Sequence, residues 1–413
     1  MSVVMPSLNQ GRFIDAAVRS VLGSGLPGIE LIVTDGGSSD DTLVRLSALG
    51  EKFDGRLRWS SQPDDGPAHA INRAVAQARA PWIGWLNSDD LYADGAIARA
   101  LAHAEGAPND VMVYGQGDHV DEQARFIERY PTRPPSTPLG EFRHGCFICQ
   151  PTAFFRREAF DELGGLDTSL RAAFDFDLWL RLFKRYPGRI GFIDDVQALS
   201  RLHEAGITLS QRGRVAREGI TVLGRHLGMA PAEWGLTWLE ELCAQHPFHR
   251  QPLDLREQLD TLAADCRPAL GTDGFDRLRG RVAGDARVRF ASPQVFVGVG
   301  ADGWATSSLE VRVLQQPARL GALRLRCAHV SPVDGPLRLL IVSPDGGTRV
   351  QTVDGPGEFE IVLDVSQLPP GARAIYRVRC EPGFVPAHME PGSTDTRTLA
   401  FKVEACQVVP AAA

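Results

Sequence analysis

The chain has 413 residues, which exceeds the roughly 100–200 residues of an ordinary single domain, so we expect at least two domains. It is 43% hydrophobic and 23% charged, as in a globular protein, and its formal net charge of -7 argues against a nucleic-acid partner. Seven cysteines, an odd number that is scattered along the sequence, indicate reduced thiols rather than a disulfide framework.

The first ten residues, MSVVMPSLNQ, lack a basic segment followed by a long apolar run, so they do not resemble a signal peptide. No stretch of the sequence approaches the ~18 consecutive apolar residues of a membrane span. We therefore expect a cytoplasmic protein, either free or held peripherally at the inner face of the membrane.

The first 120 residues alternate between strand-like and helix-like runs. Strands are predicted for SVVMPS, IELIVTD, LRWSSQ, WIGWL and VMVYG, and helices such as RFIDAAVRSVL and GPAHAINRAVAQA lie between them. This alternation predicts βαβ units and a mainly parallel α/β sheet. Two further helices, within FRREAFDELGGLD and DFDLWLRLFKRY, extend this predicted domain to about residue 210.

The remainder of the chain changes character twice. Residues 211–280 show helical periodicity with Gly and Pro breaks and are predicted to form a helical connector. In residues 281–406, six strand-length runs separated by Pro, Gly and Asp turns predict an all-β antiparallel sandwich. Residues 407–413 are predicted to form a short tail.

Polar residues follow three of the predicted strands at the point where each strand ends. The strand-end residues are Pro6, Ser7 and Asn9 after the first, Asp35 through Ser38 after the second, and Asn87 through Asp90 after the fourth. Because open α/β sheets bind ligands beyond the carboxyl ends of their strands, these residues together predict a nucleotide site. Each one singly also suits a turn or a helix start.

Asp89 and Asp90 are adjacent carboxylates that repel one another, a cost that a bound cation would offset. Oxygen ligands of this kind favour Mg²⁺ or Mn²⁺ over Zn²⁺. A turn before the next helix accounts for one of the two aspartates equally well. Asp175 is open to two interpretations, a helix cap or a carboxylate base. His203 is either a core histidine or a metal or phosphate ligand.

Five motifs, taken in order, strongly resemble family 2 glycosyltransferases with the GT-A fold. They are VVMPSLNQGRFIDAAVRSVL, VTDGGSSDDT, GPAHAINRAVAQARAPWIGWLNSDD, QPTAFFRREAFDELGGLDTSL and FDFDLWLRL, and they cover residues 1 to about 210. The resemblance implies transfer of a sugar, with inversion, from a UDP- or dTDP-sugar to a hydroxyl of a glycan or lipid-linked acceptor in cell-surface polysaccharide assembly. It allows peripheral membrane association and a homo-oligomer.

The resemblance also implies a role for each matching residue. Asp35 would contact the nucleotide, and the residues implied to bind the nucleotide sugar with it are Pro6, Ser7, Asn9, Gly36, Asn72, Asn87, Ser88 and Asp90. Asp89 and His203 would bind Mn²⁺ or Mg²⁺, and Asp175 would be the catalytic base. The Asp-x-Asp motif of the family falls on residues 87–89, where its first position is Asn87.

Two other classes of protein share some of these features. A sugar-nucleotide nucleotidyltransferase also combines a Rossmann-like sheet with carboxylate-bound magnesium, but it should carry a Gly-rich, basic triphosphate loop, which PSLNQGR resembles poorly. A non-catalytic carbohydrate-binding or scaffold protein would explain the C-terminal β domain but not the three aspartates at positions 35, 89 and 175.

Overall fold

A computed structural model describes residues 1–411 except 24, 54, 204–205, 207–210, 246–254, 285–293, 301, 316–319, 331, 333–334 and 390–391. The chain divides into two compact units, residues 1–231 and 232–413. The first contains the predicted α/β domain, and the second contains two helices followed by the predicted β domain.

The first unit is built on a nine-stranded mixed sheet. The strands are β1 (Ser2–Ser7), β2 (Glu30–Asp35), β3 (Leu57–Ser61), β4 (Trp82–Trp85), β5 (Leu91–Tyr92), β6 (Met112–Val120), β7 (Phe126–Arg129), β8 (Phe154–Arg156) and β9 (Ile190–Arg201). Their order in the sheet is β3-β2-β1-β4-β8-β6-β9-β5, and β7 pairs with β6. β1 to β4 are mutually parallel, which confirms the predicted α/β class. β8 runs antiparallel between β4 and β6 and makes the sheet mixed.

In the part of the chain that the structure describes, seven α-helices accompany this sheet. They are α1 (Gly11–Leu22), α2 (Thr42–Lys52), α3 (Pro67–Ala76), α4 (Ala96–Gly106), α5 (Arg157–Glu162), α6 (Phe174–Arg185) and α7 (Arg212–Leu227). Their apolar faces cover the sheet: Ile14, Val18 and Val21 of α1 are fully buried in one core with Val3 and Met5 of β1. α7 lies within residues that were predicted to be a connector, and it belongs to the first unit.

The strand register brings the carboxyl ends of β1, β2 and β3 level with one another. Ser7 at the end of β1 pairs with Asp35 at the end of β2, and Asp35 pairs with Ser61 at the end of β3. On the other side of β1, Val4 pairs with Trp85, the last residue of β4. The loops after β1, β2 and β4 therefore leave the sheet at one edge, as predicted for a ligand site.

The second unit begins with α8 (Glu233–Gln245) and with α9 (Leu255–Gly284), which Gly271 interrupts at a φ of +66°. Eight strands follow: β10 (Gln294–Val299), β11 (Trp304–Leu314), β12 (Leu320–His329), β13 (Leu337–Val342), β14 (Thr348–Val353), β15 (Gly357–Asp364), β16 (Arg373–Glu381) and β17 (Leu399–Pro410). All their pairings are antiparallel, which confirms the predicted all-β domain. β17 continues to Pro410, into the segment predicted as a tail.

These eight strands form a single curled sheet rather than two separate ones. Its order is β14-β13-β16-β11-β17-β12-β15, with β10 on β11. The two end strands, β14 and β15, lie close to each other. The side chains of Arg349 and Gln351 in β14 donate hydrogen bonds to the backbone carbonyls of Val362 and Glu360 in β15. The curled sheet encloses an apolar core that includes Phe401. Among the helices that the structure describes, none is long and apolar enough to cross a membrane.

Candidate active site

The loop after β2 is organised around the carboxylate of Asp35, which is fully buried. One oxygen accepts hydrogen bonds from the backbone N–H groups of Gly37 (2.9 Å) and Ser38 (2.8 Å) and from the hydroxyl of Ser61 (2.7 Å). The other oxygen accepts from the Ser38 hydroxyl at 2.5 Å. Asp35 therefore holds the loop in place through protein donors, and its implied contact with a nucleotide stays a prediction.

The loops after β1 and β2 are tied together at Asn9. Its backbone N–H donates to Ser38 Oγ at 2.7 Å, and its side-chain oxygen accepts from the N–H of Ser39 at 2.8 Å. Asn9 adopts a φ of +53°, a left-handed conformation that asparagine tolerates better than most residues. The chain thus makes a sharp turn immediately after β1, at a residue for which a nucleotide contact is predicted.

Two of the predicted nucleotide-binding residues line this edge of the sheet. Ser7 is 6% exposed, and among the described side chains its hydroxyl is one of the few buried groups without a hydrogen-bond partner. Gly36 lies against Asp64: a Cβ at this position would come within 3.1 Å of an Asp64 carboxylate oxygen. Pro6 is buried within β1 itself. An unpartnered hydroxyl and a close backbone approach are both features of a surface shaped for a polar ligand.

Asn72 of α3 has a structural partner in the fold. Its amide donates to the carbonyl of Leu166 at 2.9 Å and accepts from the N–H of the same residue at 2.9 Å. This reciprocal pair joins α3 to the segment that leads into α6. The predicted contact of Asn72 with the donor stays a prediction.

The side chain of Asn87 is fully engaged with its neighbours beneath the loop after β4. Its oxygen accepts from the indole N–H of Trp85 at 3.0 Å, while its nitrogen donates to Gln150 Oε1 at 2.8 Å and to Asp90 Oδ2 at 3.2 Å. The amide supplies both a donor and an acceptor, which a carboxylate cannot do. This network gives a physical reason for asparagine at the first position of the motif.

Asp90 lies beneath the loop at 4% exposed, and Ser88 is similarly buried. The backbone N–H of Asp90 donates to the carbonyl of Asn87 at 3.1 Å and closes the turn that the sequence predicts. Its carboxylate accepts the backbone N–H of Arg201 at 2.8 Å. Burial, and then the neighbouring charge of Asp89, raise the pKa of Asp90 above its usual range. Asp90 therefore supports the loop from within and ties it to the end of β9.

Asp89 faces the other way and meets His203. The distance from Asp89 Oδ2 to His203 Nε2 is 2.9 Å, and the histidine side chain is fully buried. His203 Nδ1 lies 3.2 Å from the guanidinium of Arg12. Because arginine can only donate, Nδ1 accepts and Nε2 carries the proton that it donates to Asp89. The two predicted metal ligands are thus brought together.

Arg12 and Arg201 enclose the same corner of the site. Their guanidinium groups lie 4.3 Å and 4.4 Å from the centre of the Phe13 ring, whose centre is 5.1 Å from that of His203. Arg201 also donates to the backbone carbonyl of Asp89. Its Nε is buried and, among the described residues, has no hydrogen-bond partner. Two guanidinium groups thus lie beside Asp89, and that of Arg12 is also ion-paired with Glu122 at 3.0 Å.

Asp175 lies in the first turn of α6, half-buried, with its carboxylate accepting the N–H of Phe176 at 2.7 Å. Burial raises the pKa of Asp175 to about 6, against a smaller lowering by that backbone hydrogen bond. Asp177, two residues further along α6, is instead paired with His226 at 2.7 Å and with Arg181 at 2.7 Å. These hydrogen bonds lower its pKa although burial opposes them. The two aspartates therefore have different chemistry.

Packing brings Asp175 to the same place as the loop after β4. Phe174, its neighbour, stacks on Trp85 with ring centres 5.7 Å apart. Cys149 provides a second link, because the pKa of its buried thiol is raised by desolvation and also by the charges of Asp90 and Asp175. The turn that carries Asp175 therefore packs against the last residue of β4.

The residues present suit a divalent cation that shares its coordination with a ligand. In the ranges that the structure describes, no three or more His, Cys, Asp or Glu side chains are grouped to bind a metal. Asp89 and His203 provide two ligands, and Mg²⁺ or Mn²⁺ commonly takes the rest from phosphate oxygens and water. For His203 Nε2 to bind a cation its proton must leave, and Arg12 must then release Nδ1.

Three residues of this site were not singled out from the sequence as site residues. Gln150 follows directly after Cys149 and donates to the carbonyl of Trp85 at 2.9 Å. It lies within one of the quoted motifs, which could have drawn attention to it. Arg201 stands two residues before His203 on β9, and Arg12 follows the first strand-end motif. In each case, proximity to a predicted ligand was the available signal.

The mixed sheet, with the loops after β1, β2 and β4 leaving at one edge, is built like that of the GT-A glycosyltransferases. A model of the family described as "Glycosyl transferase family 2" matches residues 2–164. The "PGL/p-HBAD biosynthesis glycosyltransferase" of Mycobacterium bovis (strain BCG / Pasteur 1173P2) is 30% identical over 184 residues, which are 44% of this chain and 69% of that protein. The chain belongs to glycosyltransferase family 2.

Other similarities agree with this membership. An uncharacterized glycosyltransferase of Rickettsia conorii is 25% identical over 215 residues, covering 49% of this chain but only 34% of that protein. Among solved structures, S. aureus TarS 1–349 in complex with UDP-GlcNAc has a TM-score of 0.50 and 18% identity, covering 70% of this chain and 86% of that one. This likeness supports the fold.

Proposed function

We propose that the protein is an inverting glycosyltransferase that moves a sugar from a nucleoside-diphosphate sugar to an acceptor hydroxyl. The observation that carries the proposal is the convergence of Asp89, His203 and Asp175 at the carboxyl edge of the sheet. Asp89 and His203 offer ligands for a diphosphate and its cation. Asp175 offers a carboxylate whose pKa of about 6 suits a base near neutral pH.

Asp175 is the proposed catalytic base. Its carboxylate accepts the proton of the acceptor hydroxyl while the oxygen attacks the anomeric carbon on the face opposite the diphosphate, which gives inversion. The bond between the anomeric carbon and the diphosphate oxygen breaks in the same step, and the nucleoside diphosphate departs with the electron pair. A half-buried carboxylate with a raised pKa is a stronger base than an exposed one, because desolvation disfavours its charge.

The nucleotide is proposed to occupy the loops after β1, β2 and β4. The residues assigned to this site are Pro6, Ser7, Asn9, Asp35, Gly36, Asn72, Asn87, Ser88 and Asp90. Several of them act by shaping the loops: Asp35 holds residues 37 and 38, and Asn87 holds Gln150. Ser7 is the candidate for a direct contact, since its buried hydroxyl lacks a partner among the described residues.

Asp89 and His203 are proposed to hold Mn²⁺ or Mg²⁺ together with the donor diphosphate. When bound, the cation would neutralise the charge that grows on the departing diphosphate. Arg12 and Arg201, which lie beside these ligands, would hold the same phosphates by charge-assisted hydrogen bonds. Asn87 leaves the loop with one carboxylate fewer than an Asp-x-Asp motif, so the proposed site relies on His203.

A UDP- or dTDP-sugar is the donor we propose, with a glycan or lipid-linked hydroxyl as the acceptor in cell-surface polysaccharide assembly. Support comes from the donor named for the S. aureus TarS structure, UDP-GlcNAc, and from the M. bovis relative, whose name places it in PGL/p-HBAD biosynthesis. Action at the inner face of the membrane would follow from a lipid-linked acceptor.

The proposed function is tested with a panel of nucleotide sugars and the wild-type chain. Calorimetry with UDP in the presence and absence of Mn²⁺ reports binding, and mass spectrometry of a mixture of donor and simple glycan acceptors reports transfer. We expect UDP binding that depends on Mn²⁺ and transfer from one donor of the panel. A scaffold protein would show neither, and a nucleotidyltransferase would release pyrophosphate from a nucleoside triphosphate instead.

A further inference from the structure

Helix α6, which carries Asp175, begins without a capping side chain of its own. The residue before its first turn is Ala173, preceded by Ala172, and neither offers a side-chain oxygen. The first N–H groups of a helix have no partner within the helix and need one from elsewhere. At the turn that presents the proposed base, the carboxylate of Asp175 itself accepts the N–H of Phe176, and the N–H of Ala173, the residue before the helix, takes its partner from elsewhere in the chain.

Glu218 of α7 supplies it from 45 residues further along the chain. One oxygen of its carboxylate accepts from the backbone N–H groups of Arg171 (3.0 Å), Ala172 (2.8 Å) and Ala173 (2.9 Å). The other oxygen also accepts from Arg171, at 3.0 Å. Three successive N–H groups converging on one anion at the start of a helix form a strong site, because the bonds are charge-assisted and the helix dipole adds to them.

The rest of α7 is fixed to the same helix, which makes Glu218 a rigid support. His226 near the end of α7 pairs with Asp177 at 2.7 Å, and Arg225 bridges Asp177 at 3.3 Å and Asp167 at 2.8 Å. Lys184 of α6 donates to the carbonyl of His226 at 3.1 Å. These contacts near the end of α7 hold it along α6, so the position of Glu218 relative to the turn is set by more than one bond.

The segment that Glu218 grips also reaches the nucleotide side of the site. The guanidinium of Arg171 lies directly over Gly66, at the start of α3, where a Cβ would collide with it. The N–H of Gly66 donates to Asp64 at 2.8 Å, and Asp64 is the carboxylate that lies against Gly36. A five-residue stretch, 171–175, therefore joins the loop beside the nucleotide site to the proposed base.

We propose that Glu218 is a positioning residue: its carboxylate sets the turn from Arg171 to Asp175 and thereby the placement of the catalytic base. This inference rests on the proposed function, because it assigns a role within the same reaction. Glu218 contacts neither substrate nor the reacting atoms, and it acts through the backbone of residues 171–173.

The test compares Glu218→Gln with Glu162→Gln as the matched control. Glu162 also binds α6 through its carboxylate, but at the far end, where it meets Arg185 at 2.5 Å and Tyr186 at 2.5 Å. Both substitutions are isosteric and remove one charge from a contact with the same helix. Glutamine at 218 keeps one oxygen for the N–H groups of residues 171–173, but it loses the charge and places an amide nitrogen against the N–H of Arg171, so the contact is weakened.

We expect Glu218→Gln to lower kcat about ten- to a hundredfold, as small displacements of a reacting group do, while KM for the donor and UDP binding stay near wild type. The acid limb of the kcat–pH profile should move below pH 6, because a loosened turn admits water to Asp175. Hydrogen exchange of the amides of residues 171–173 should accelerate. Glu162→Gln should change none of these. If Glu218→Gln does not fold, Glu218→Asp, with its shorter reach, replaces it.

The outcomes separate this proposal from the proposed function. A wild-type chain that transfers no sugar contradicts the proposed function and removes the basis of this proposal with it. An active wild type, with Glu218→Gln matching Glu162→Gln in kcat, pH profile and amide exchange, overturns the positioning role alone. A drop in UDP binding equal to the drop in kcat would also overturn it, because that pattern indicates general disruption of the site.

Discussion

The carboxylate of Asp89 and the imidazole of His203 meet at 2.9 Å although 114 residues separate them in the chain. One lies in the loop after β4 and the other just beyond β9, and Arg201 strengthens the junction by bonding to the backbone of Asp89 and to the carboxylate of Asp90. The contact closes one corner of the strand edge, and Asp175 of α6 is a separate carboxylate that accepts the N–H of Phe176.

Asp89→Asn should weaken UDP binding in the presence of Mn²⁺ by at least about tenfold, equivalent to 1.4 kcal/mol, because a neutral amide is a poor ligand for a hard cation. Binding in EDTA should be weak for both proteins. Calorimetry measures the difference, and Asp94→Asn, an exposed aspartate nearby, is the control. Equal Mn²⁺-dependent binding in wild type and Asp89→Asn would show that Asp89 is not a metal ligand.

Asn87→Asp restores an Asp-x-Asp motif, yet we expect it to destabilise the protein. The new carboxylate would face Gln150 Oε1 and Asp90 Oδ2, the two oxygens to which the Asn87 amide now donates. Loss of both donors should cost about 1–3 kcal/mol of unfolding free energy. Thermal unfolding tests this, with the exposed Asn109→Asp as control. An unchanged Tm together with tighter Mn²⁺ binding would contradict this interpretation of Asn87.

The rate of transfer should fall in acid because Asp175 must be ionised to accept a proton. Its pKa is raised to about 6 by burial, so kcat/KM should be level above pH 7 and drop about tenfold per unit below pH 6. A pH series of initial rates measures the limb. A limb near pH 4, the range of an ordinary carboxylate, would indicate that a solvated group is the base.

The charge on Asp175 should also cost stability. A carboxyl group whose folded pKa is raised above its unfolded value favours the folded state below the unfolded pKa, and this contribution is lost as the pH rises through about 6. Asp175→Asn removes that loss, and asparagine keeps an oxygen for the N–H of Phe176. We therefore expect Asp175→Asn to have a higher Tm than wild type at pH 8 and a similar Tm at pH 4. A lower Tm at pH 8 would show that the carboxylate serves as a structural cap.

The parts of the site that sequence predicts well are those set by local pattern. A polar run after a β-branched or aromatic strand identifies its carboxyl end, and a parallel sheet brings such ends together, so Asp35, Asp89 and Asp90 fall at one edge as predicted. What the sequence could not reveal is the direction that each carboxylate faces. Asp35 is turned inward onto its own loop and Asp90 onto Arg201, whereas Asp89 meets His203.

Contacts between distant segments were beyond the reach of sequence patterns. Glu218 lies in residues predicted as a connector, and nothing in their helical periodicity indicates that its carboxylate holds the turn before α6. The same holds for Gln150 and Asn87, which meet across 63 residues. Such pairs depend on how β8 and α7 pack in three dimensions, and a hydrophobic period specifies only which face of an element is buried.

The central claim, that Asp175 is the catalytic base, is tested most directly by single-turnover transfer with Asp175→Asn, with UDP binding measured on the same sample. Removing a general base costs about 10²–10⁴-fold in rate. We predict a loss of transfer in that range with UDP affinity within about twofold of wild type. Transfer by Asp175→Asn at the wild-type rate would contradict the claim and leave Asp175 with only a structural role at the start of α6.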